Sequence, residues 1–302
     1  MPEILGVVGP TGSGKTSFGL QWARAHRGEI ISADSRQLYR YLAIGTAKPA
    51  GTWTAAPPCY RVEGIPYHLV DFLNPDERFS AAEFARIAEA KIQEILNRGH
   101  TPILVGGTGF YFKALKEGLA PLPKAQPSIR EELRALAERK GRPHLHSELA
   151  KVDPEAAVAI PANNLHRVIR ALEVYRSTGK PISQWHREHA ERKASAVAPS
   201  RFYRIIGLDP GKEILDQRLE QRCAEMITRG MIEETQEVLA KGYSRDCPAL
   251  SGLGYPRVVA FLKDELSKQD MLQGLIQDTR QYAKRQRTWF RHQLQVDEWK
   301  RL

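Results

Sequence analysis

The amino-acid sequence predicts an α/β fold, a parallel sheet flanked by helices, together with an all-helical insertion domain. Three observations lead to this prediction. An apolar run at residues 4–8 leads directly into the glycine-rich stretch 9–16, and a helical pattern follows. Short apolar strands then alternate with helical patterns as far as residue 119. From residue 120 to residue 200 the patterns are almost only helical, and strand character returns at 201–208.

The glycine-rich stretch matches the phosphate-loop pattern G-x-x-x-x-G-K-[ST] without a mismatch. Glycines let backbone N–H groups point towards phosphate oxygens, and the following helix adds its positive N-terminal end. Lys15 supplies a charge for the phosphates, and the Thr16 hydroxyl suits a bound Mg²⁺. The pattern predicts a P-loop NTPase-like core that binds a polyphosphate, either of ATP or of a diphosphate ester. The predicted phosphate-binding residues are Gly9, Pro10, Thr11, Gly12, Ser13, Gly14, Lys15 and Thr16.

Two further strand ends carry polar residues that face the same crevice. The second predicted strand, residues 29–33, ends at Asp34, and the fourth, residues 101–105, runs through two glycines into Thr108. Ligands collect beyond the carboxyl ends of parallel strands, so both side chains are site candidates. From its local pattern alone, Asp34 is equally suited to be a helix N-cap.

The elements between these strands are predicted from local signals. Residues 67–71 indicate a short third strand, and residues 80–96 a helix that begins with a capping box of Ser80 and Glu83. The Pro- and Gly-containing stretch 50–64 has no periodicity, which predicts a lid or a slack loop.

The change of pattern near residue 120 predicts two domains. Residues 1–119 and 201–302 form the phosphate-loop core with C-terminal helices, and residues 120–200 form the helical insertion. Within the insertion, Arg167 and Arg170 are three apart on one predicted helix and share a face.

The chain has an excess of positive charge, with 45 Lys and Arg against 35 Asp and Glu, a net charge of +10. Such an excess favours a polyanionic partner where it is clustered. In the last predicted helix, the cations step by four, three and four at Arg280, Lys284, Arg287 and Arg291, with no acid of that helix between them. This stripe suits a nucleic-acid backbone, with a solvated helix face as the alternative. We expect Arg218, Arg222 and Arg229 to be solvated.

Other classes are disfavoured by composition. Cys59, Cys223 and Cys247 lie too far apart for a zinc site, and no apolar run approaches the ~18 residues of a membrane span. The expectation is a cytoplasmic protein, without membrane association and monomeric.

The motifs in this order resemble the tRNA dimethylallyltransferases of bacterial type, over nearly the full length of the chain. Five blocks carry the resemblance: GPTGSGKT at 9–16, DSRQLY at 34–39, GTAKP at 45–49, GGTGFY at 106–111 and TRQYAKRQRTWFR at 279–291. Several ordered blocks are far more specific than a phosphate loop alone. Residues 50–64 are longer than the family pattern, Ser251 precedes Gly252 where relatives differ, and no zinc finger follows Arg291.

The resemblance implies transfer of a dimethylallyl group from its diphosphate to the exocyclic amine of the adenosine beside the anticodon. Asp34 matches the family's general base. Lys15, a Thr16-bound Mg²⁺ and the loop N–H groups would stabilise the departing diphosphate, with Thr108 at the oxygen of the breaking bond. The phosphate loop would then serve a leaving group.

The resemblance also implies a set of tRNA-contacting residues on both domains, because the adenosine must leave its stack and the anticodon stem-loop must be held. They are Asp34, Ser35, Arg36, Gln37, Thr108, Arg130, His166, Arg167, Arg170, Gly252, Gly254, Tyr255, Arg280, Lys284, Arg285, Gln286, Arg287, Trp289 and Arg291.

Three alternatives remain open from the sequence. A kinase would use the same loop, with Asp34 in place of the missing acid after the fourth strand. An adenylate isopentenyltransferase would use the crevice on a free nucleotide and would need neither the insertion nor the stripe at 280–291. A phosphate-loop RNA-binding protein would bind RNA without catalysis.

Overall fold

The computed structural model describes residues 3–56, 58–195 and 201–301. The chain divides into two compact units, residues 1–118 with 200–302 and residues 119–199. The predicted boundaries differ from these by one residue each. The second predicted boundary, at 200/201, borders residues 196–200, which lie outside the described ranges. Pro57 of the 50–64 stretch also lies outside them.

The first unit contains an eight-stranded sheet in the order β3-β4-β5-β2-β6-β1-β7-β8. Strands β5, β2, β6, β1, β7 and β8 are parallel, as predicted for the core, while β3 and β4 are antiparallel additions. The central strands are buried and apolar because helices cover both faces. The strands are β1 Glu3–Val8, β2 Gly28–Ser32, β3 Thr52–Thr54, β4 Cys59–Val62, β5 Ile65–His68, β6 Thr101–Gly106, β7 Phe202–Leu208 and β8 Glu298–Lys300.

The helices follow the predicted alternation. In the first unit they are α1 Lys15–Ala25, α2 Ala81–Asn97, α3 Gly109–Glu117, α9 Lys212–Thr228, α10 Met231–Ala240, α11 Tyr255–Phe261 and α12 Lys268–Gln293. The second unit is all-helical over its described residues, with α4 Pro127–Lys140, α5 Arg142–Val152, α6 Pro154–Ala159, α7 Leu165–Thr178 and α8 Ile182–Ser195. Its core is formed by leucine, valine and alanine side chains of α4 to α7. None of the described helices is long and apolar enough to cross a membrane.

The capping box predicted for α2 is confirmed. The Ser80 hydroxyl accepts a hydrogen bond from the Glu83 backbone N–H at 3.2 Å, and the Glu83 carboxylate accepts one from the Ser80 N–H at 2.7 Å. Phe84, Ile92 and Ile95 then point into the core against β6 and α3. Two orphan donors are satisfied at the start of the helix, so α2 begins at a fixed residue.

The prediction of a lid or slack loop at 50–64 is wrong. Residues 52–54 and 59–62 pair as an antiparallel hairpin, and β4 pairs with β5 to join it to the sheet. The Tyr60 hydroxyl donates to the Pro49 carbonyl at 2.6 Å, and Tyr60 itself is buried. The segment is therefore a structured extension of the sheet. The third predicted strand is also displaced, because it ends at His68 and is followed by left-handed residues Leu69 and Asp71.

Candidate active site

The phosphate loop connects β1 to α1, and its glycines are required by the backbone. Gly9, Gly12 and Gly14 all have positive φ values, of 151°, 80° and 87°. A Cβ at Gly9 would lie 2.4 Å from the Leu208 carbonyl oxygen, so the adjacent strand β7 leaves no room for a side chain. The loop can take its shape only with glycine at these positions.

Lys15 lies within this loop and has an unusual acidity. Its ammonium donates to the Pro10 carbonyl at 2.6 Å. Burial, opposed by the charge of Asp34 and assisted by that of Arg222, lowers the pKa of Lys15 to about 7. A bound diphosphate would supply the negative charge that this site lacks and would favour the protonated amine.

The residues around Thr16 fit a magnesium ion of the kind held mainly by phosphates. The part of the chain that the structure describes contains no cluster of three His, Cys, Asp or Glu side chains able to hold a metal. Mg²⁺ is commonly bound by one or two protein oxygens, with water and substrate phosphates completing its shell. The Thr16 hydroxyl lines the cavity and suits that role. In the same loop, the fully buried Ser13 hydroxyl has no hydrogen-bond partner among the described residues, and Ser13 does not line the cavity.

Asp34 follows β2 and combines both roles that the sequence suggested. Its Oδ1 accepts hydrogen bonds from the backbone N–H groups of Arg36 at 2.8 Å and Gln37 at 3.4 Å, as a capping residue does. Oδ2 makes no hydrogen bond to the described residues, and Asp34 lines the cavity. The charge of Asp34 also acts on Lys15 and Arg222. The turn therefore fixes the carboxylate while one oxygen stays available.

Thr108 joins the carboxyl ends of the neighbouring strands β2 and β6. Its backbone N–H donates to the Ala33 carbonyl at 3.1 Å, and its hydroxyl accepts from the Ser35 N–H at 2.9 Å and donates to the Ser35 hydroxyl at 3.2 Å. Gly106 allows this contact, because a Cβ there would lie 2.0 Å from the Ala33 oxygen. The structure thus brings Thr108 beside the Asp34 turn.

One cavity of about 670 Å³ is lined by Lys15, Thr16 and Asp34, whereas Thr108 is not among its lining residues. Its polar part contains the phosphate loop, Asp34 and Arg222. Its apolar part is formed by side chains of α9, α11, α12 and the turn before α11, namely Cys223, Met226, Leu253, Tyr255 and Leu275. A ligand with a charged head and a short apolar tail fits this division.

Arg222 is the main site residue that sequence reasoning missed. It was expected to be a solvated charge, yet it lines the cavity, and burial lowers its pKa while the charge of Asp34 opposes this. Its position on α9 borders an apolar stripe of Leu215, Leu219, Cys223 and Met226. That stripe predicts a buried helix face, but the sequence gives no sign that the neighbouring arginine faces a phosphate site.

Two residues predicted to contact tRNA, Gln286 and Tyr255, are buried in the protein alone and line the cavity. Gln286, only 7% exposed, accepts from the Thr11 N–H and donates to the Gly107 carbonyl, both at 2.8 Å. Tyr255, 1% exposed, donates to Glu234 at 2.8 Å. Glu234 in turn accepts the N–H groups of residues 43–45. Both side chains therefore belong to the cavity wall and hold neighbouring segments of it in place.

The remaining predicted residues near these two have mixed surroundings. Gly252 and Gly254 are buried in the turn before α11, and Gly252 lines the cavity together with Ser35, Arg36 and Gln37. Arg36 also donates to the Pro248 carbonyl at 2.9 Å. Trp289 packs on Gly109, where a Cβ would lie 2.1 Å from its ring.

The basic stripe of α12 is largely paired with acids from other elements. Arg280 binds Glu220 at 2.7 Å, and both Arg287 and Arg291 bind Asp209 at 3.0 Å. The absence of acids between these cations in the sequence did not reveal this. Lys284 has no ion pair among the described residues and is exposed, and Arg285 is exposed with its guanidinium 5.9 Å from the Tyr282 ring.

In the second unit, Arg130 and Arg170 share one buried carboxylate. Glu173 is fully buried and accepts from Arg130 at 2.8 and 2.9 Å and from Arg170 at 2.7 Å. His166 lies in the adjoining recess of about 230 Å³, and burial and the charges of Arg130 and Arg134 lower its pKa. Arg167 is exposed. The structure thus brings Arg130, His166 and Arg170 together on the helical unit.

The fold and the cavity are those of a phosphate-loop protein with an apolar pocket and the Asp34 carboxylate beside the loop. The family model for IPP transferase matches residues 37–293. A tRNA dimethylallyltransferase of Myxococcus xanthus is 43% identical over 291 residues, covering 96% of this chain and 90% of that protein. One of Elusimicrobium minutum is 42% identical over 284 residues, covering 94% and 90%.

The solved structures agree. A full-length tRNA isopentenylpyrophosphate transferase from Bacillus halodurans matches with a TM-score of 0.67 and 35% identity, over 100% of this chain and 90% of that one. The chain belongs to the IPP transferase family. The P-loop NTPase-like fold predicted from the sequence is thereby confirmed.

Proposed function

We propose that this protein transfers the dimethylallyl group of dimethylallyl diphosphate to the N6 amine of the adenosine on the 3′ side of the tRNA anticodon, giving isopentenyladenosine and diphosphate. The observation that supports this most directly is the single cavity in which the phosphate loop, Asp34 and an apolar wall meet. Membership of a family whose relatives are named tRNA dimethylallyltransferases supplies the acceptor.

The reaction exchanges one bond for another. The N6 lone pair forms a bond to C1 of the dimethylallyl group while the C1–O bond breaks and its electron pair leaves with diphosphate. An aromatic amine is a weak nucleophile, so a base must remove its proton as the bond forms. Asp34 is the candidate, because the Oδ2 oxygen is available while Oδ1 is held by two N–H groups.

The leaving group gains negative charge, and we expect several groups that line the cavity to stabilise it. They are the N–H groups of the phosphate loop, the Lys15 ammonium, Arg222 and the Thr16 hydroxyl. A Mg²⁺ bound at Thr16 would supply further charge neutralisation. Rotation of the Thr108 hydroxyl away from Ser35 would let it donate to the oxygen of the breaking bond.

The acceptor adenosine must leave its stack to reach Asp34, at a cost of a few kcal/mol that contacts elsewhere must offset. Candidates for those contacts are Lys284 and Arg285 on α12 and the surface around Arg130 and Arg167 on the helical unit. We take the protein to act as a monomer in the cytoplasm, where tRNA is the expected substrate.

The test is transfer of radiolabelled dimethylallyl to unmodified tRNA with adenosine beside the anticodon. Parallel reactions contain AMP, and ATP with small acceptors. Label in tRNA only is the expected outcome. Label in AMP would instead indicate a nucleotide-modifying enzyme, and ATP consumption without labelling would indicate a kinase. Binding of tRNA with no transfer at all would indicate the RNA-binding alternative.

A further inference from the structure

An exposed aromatic residue with an unusual backbone follows Asp34 on the same segment. Tyr41 is 45% exposed although it is a large side chain, and its φ is 66°, in the left-handed region. Residues other than glycine are uncommon there, and when present at such angles they often mark functional positions. Glycine would adopt this conformation without strain, whereas tyrosine adopts it at a cost in backbone energy.

Tyr41 is part of a small surface formed with the chain that follows α10. Its ring lies 6.4 Å from the ring of Tyr243, at an interplanar angle of 35°, and the Lys241 ammonium lies 5.0 Å from the Tyr41 centroid. We call these three residues the Tyr41 platform. Lys241 has no ion pair among the residues that the structure describes, and it is exposed.

The charges around the platform are mixed. Arg40 is exposed beside it, while Asp76 and Glu77 lie close enough to act on the Tyr243 hydroxyl. Charge alone therefore does not make this surface an anchor for a polyanion. What distinguishes it is an exposed aromatic side chain with a cation over its ring, the combination that binds unpaired bases and their phosphates.

The backbone on both sides of Tyr41 is firmly held. The Arg40 N–H donates to the Leu73 carbonyl at 2.8 Å, and Leu42 is fully buried. Lys48 donates to the Tyr39 carbonyl at 2.5 Å. Tyr41 therefore projects from a rigid segment, and a base could stack on it without first ordering the chain.

The same segment forms the wall of the cavity before and after Tyr41. Residues 34–37 and 45–47 line the cavity, and Tyr41 lies between them in the chain. The platform is therefore continuous in sequence with the wall that would receive the acceptor adenosine.

We propose that the Tyr41 platform binds an unpaired nucleotide of the RNA substrate, with its base stacked on Tyr41 and its phosphate near Lys241. This rests on the proposed function, since it assumes an RNA acceptor. Stacking of this kind is tolerant of base identity, so the platform adds affinity for a single-stranded loop without selecting one base. It helps to offset the unstacking of the acceptor adenosine.

The test uses a variant that relieves the strain while it removes the ring. Tyr41→Gly is expected to raise the Kd and KM for tRNA about tenfold, a typical loss for one stacked base. The KM for dimethylallyl diphosphate and kcat at saturating tRNA should stay within about twofold of the parent values. Tyr41→Phe keeps the ring and is the matched control, with unchanged tRNA affinity. Thermal melting of both variants checks that they are folded.

A second variant separates stacking from charge. Lys241→Gln should reduce the slope of log Kd against log salt by about one, whereas Tyr41→Gly should leave that slope unchanged. Parent-like tRNA binding by Tyr41→Gly would overturn the proposal. So would a change in oligomeric state with unchanged tRNA affinity, which would assign the surface to contacts between copies.

These outcomes are independent of the proposed reaction. A parent enzyme that transfers no label to tRNA would contradict the proposed function. Binding of unmodified tRNA is measured without dimethylallyl diphosphate, so it does not depend on that transfer. The binding comparison between Tyr41→Gly and Tyr41→Phe still decides the role of the platform.

Discussion

Asp34 uses its two carboxylate oxygens differently, and this permits a sharp substitution experiment. Asn in its place retains an Oδ1 that can accept the Arg36 and Gln37 N–H groups, but it cannot take a proton. Asp34→Asn should therefore bind tRNA almost as the parent does and lose about 100-fold or more in kcat. Single-turnover kinetics with a parallel tRNA binding assay measure both quantities.

The control for this experiment is Asp34→Ala, which removes the cap as well as the base. We expect it to lose the same activity and, in addition, about 1 kcal/mol of stability. Equal loss of tRNA binding and of turnover in Asp34→Asn would show that Asp34 positions the RNA and is not the base.

Lys15 should make diphosphate binding sensitive to pH. Its pKa in the free protein is lowered to about 7, and a bound diphosphate raises it. Affinity is therefore greatest below pH 7, where the amine is already charged, and falls as the pH rises through 7. Isothermal titration of diphosphate between pH 6 and 9 measures this decline.

Lys15→Arg is the matched variant, because its guanidinium stays charged throughout this range. After correction for ionisation of diphosphate itself, its affinity should show no decline near pH 7. The same decline in both proteins would assign the titration to another group.

At the scale of elements, local signals were predictable and distant pairings were not. The capping box of α2 lies within four residues, so the sequence contains everything needed to predict it. Asp209 meets Arg287 across 78 positions of sequence. The β4–β5 pairing is an exception, since it was missed although only Glu63 and Gly64 separate the two strands. The periodicity of one helix cannot show that an acid from another element will pair with its cations. For the same reason the strand ends at Asp34 and Thr108 were predictable, while Arg222 was not.

Two faces of helix α12 should serve two different functions. Gln286 joins the phosphate loop to the end of β6, whereas Lys284, two residues earlier, is exposed. Gln286→Ala should raise the KM for dimethylallyl diphosphate, because two buried hydrogen bonds that hold the loop are lost, and leave tRNA affinity unchanged. Lys284→Gln should do the opposite, with a smaller salt dependence of tRNA binding. Steady-state kinetics for each substrate distinguish the two variants. A tRNA binding defect in Gln286→Ala would support the predicted role of Gln286 as an RNA contact.

At the scale of the whole molecule, the α/β order and the all-helical segment followed from composition and periodicity. The functional assignment needed more, because a phosphate loop alone is compatible with several reactions. The apolar side of the cavity reduces the number of compatible reactions. It is contributed by α9 and α12, which are far in sequence from Lys15 and come close to it only after folding. Charge counting also misled, since much of the positive stripe on α12 is neutralised by Glu220 and Asp209.

Folding stability should depend on a buried carboxylate at the end of the sheet away from the site. Glu29, 3% exposed, begins β2 and accepts from His68 at 2.6 Å, His100 at 2.7 Å and Arg98 at 2.8 Å, which ties β2, β5 and β6 to the end of α2. Burial alone would raise the pKa of Glu29, but these hydrogen bonds together lower it well below the usual range. A carboxylate with a lowered folded pKa stabilises the fold above its unfolded pKa of 4.5 and loses that contribution as the pH falls below this value.

Glu29→Gln should therefore reduce the unfolding free energy by about 1–3 kcal/mol at pH 7. The difference from the parent should shrink steadily below pH 4.5. Urea denaturation of both proteins from pH 7 down to pH 3.5 measures it, with Glu94→Gln, an exposed substitution on α2, as the control. A difference that stays constant over this range would show that Glu29 acts through packing and not through its charge.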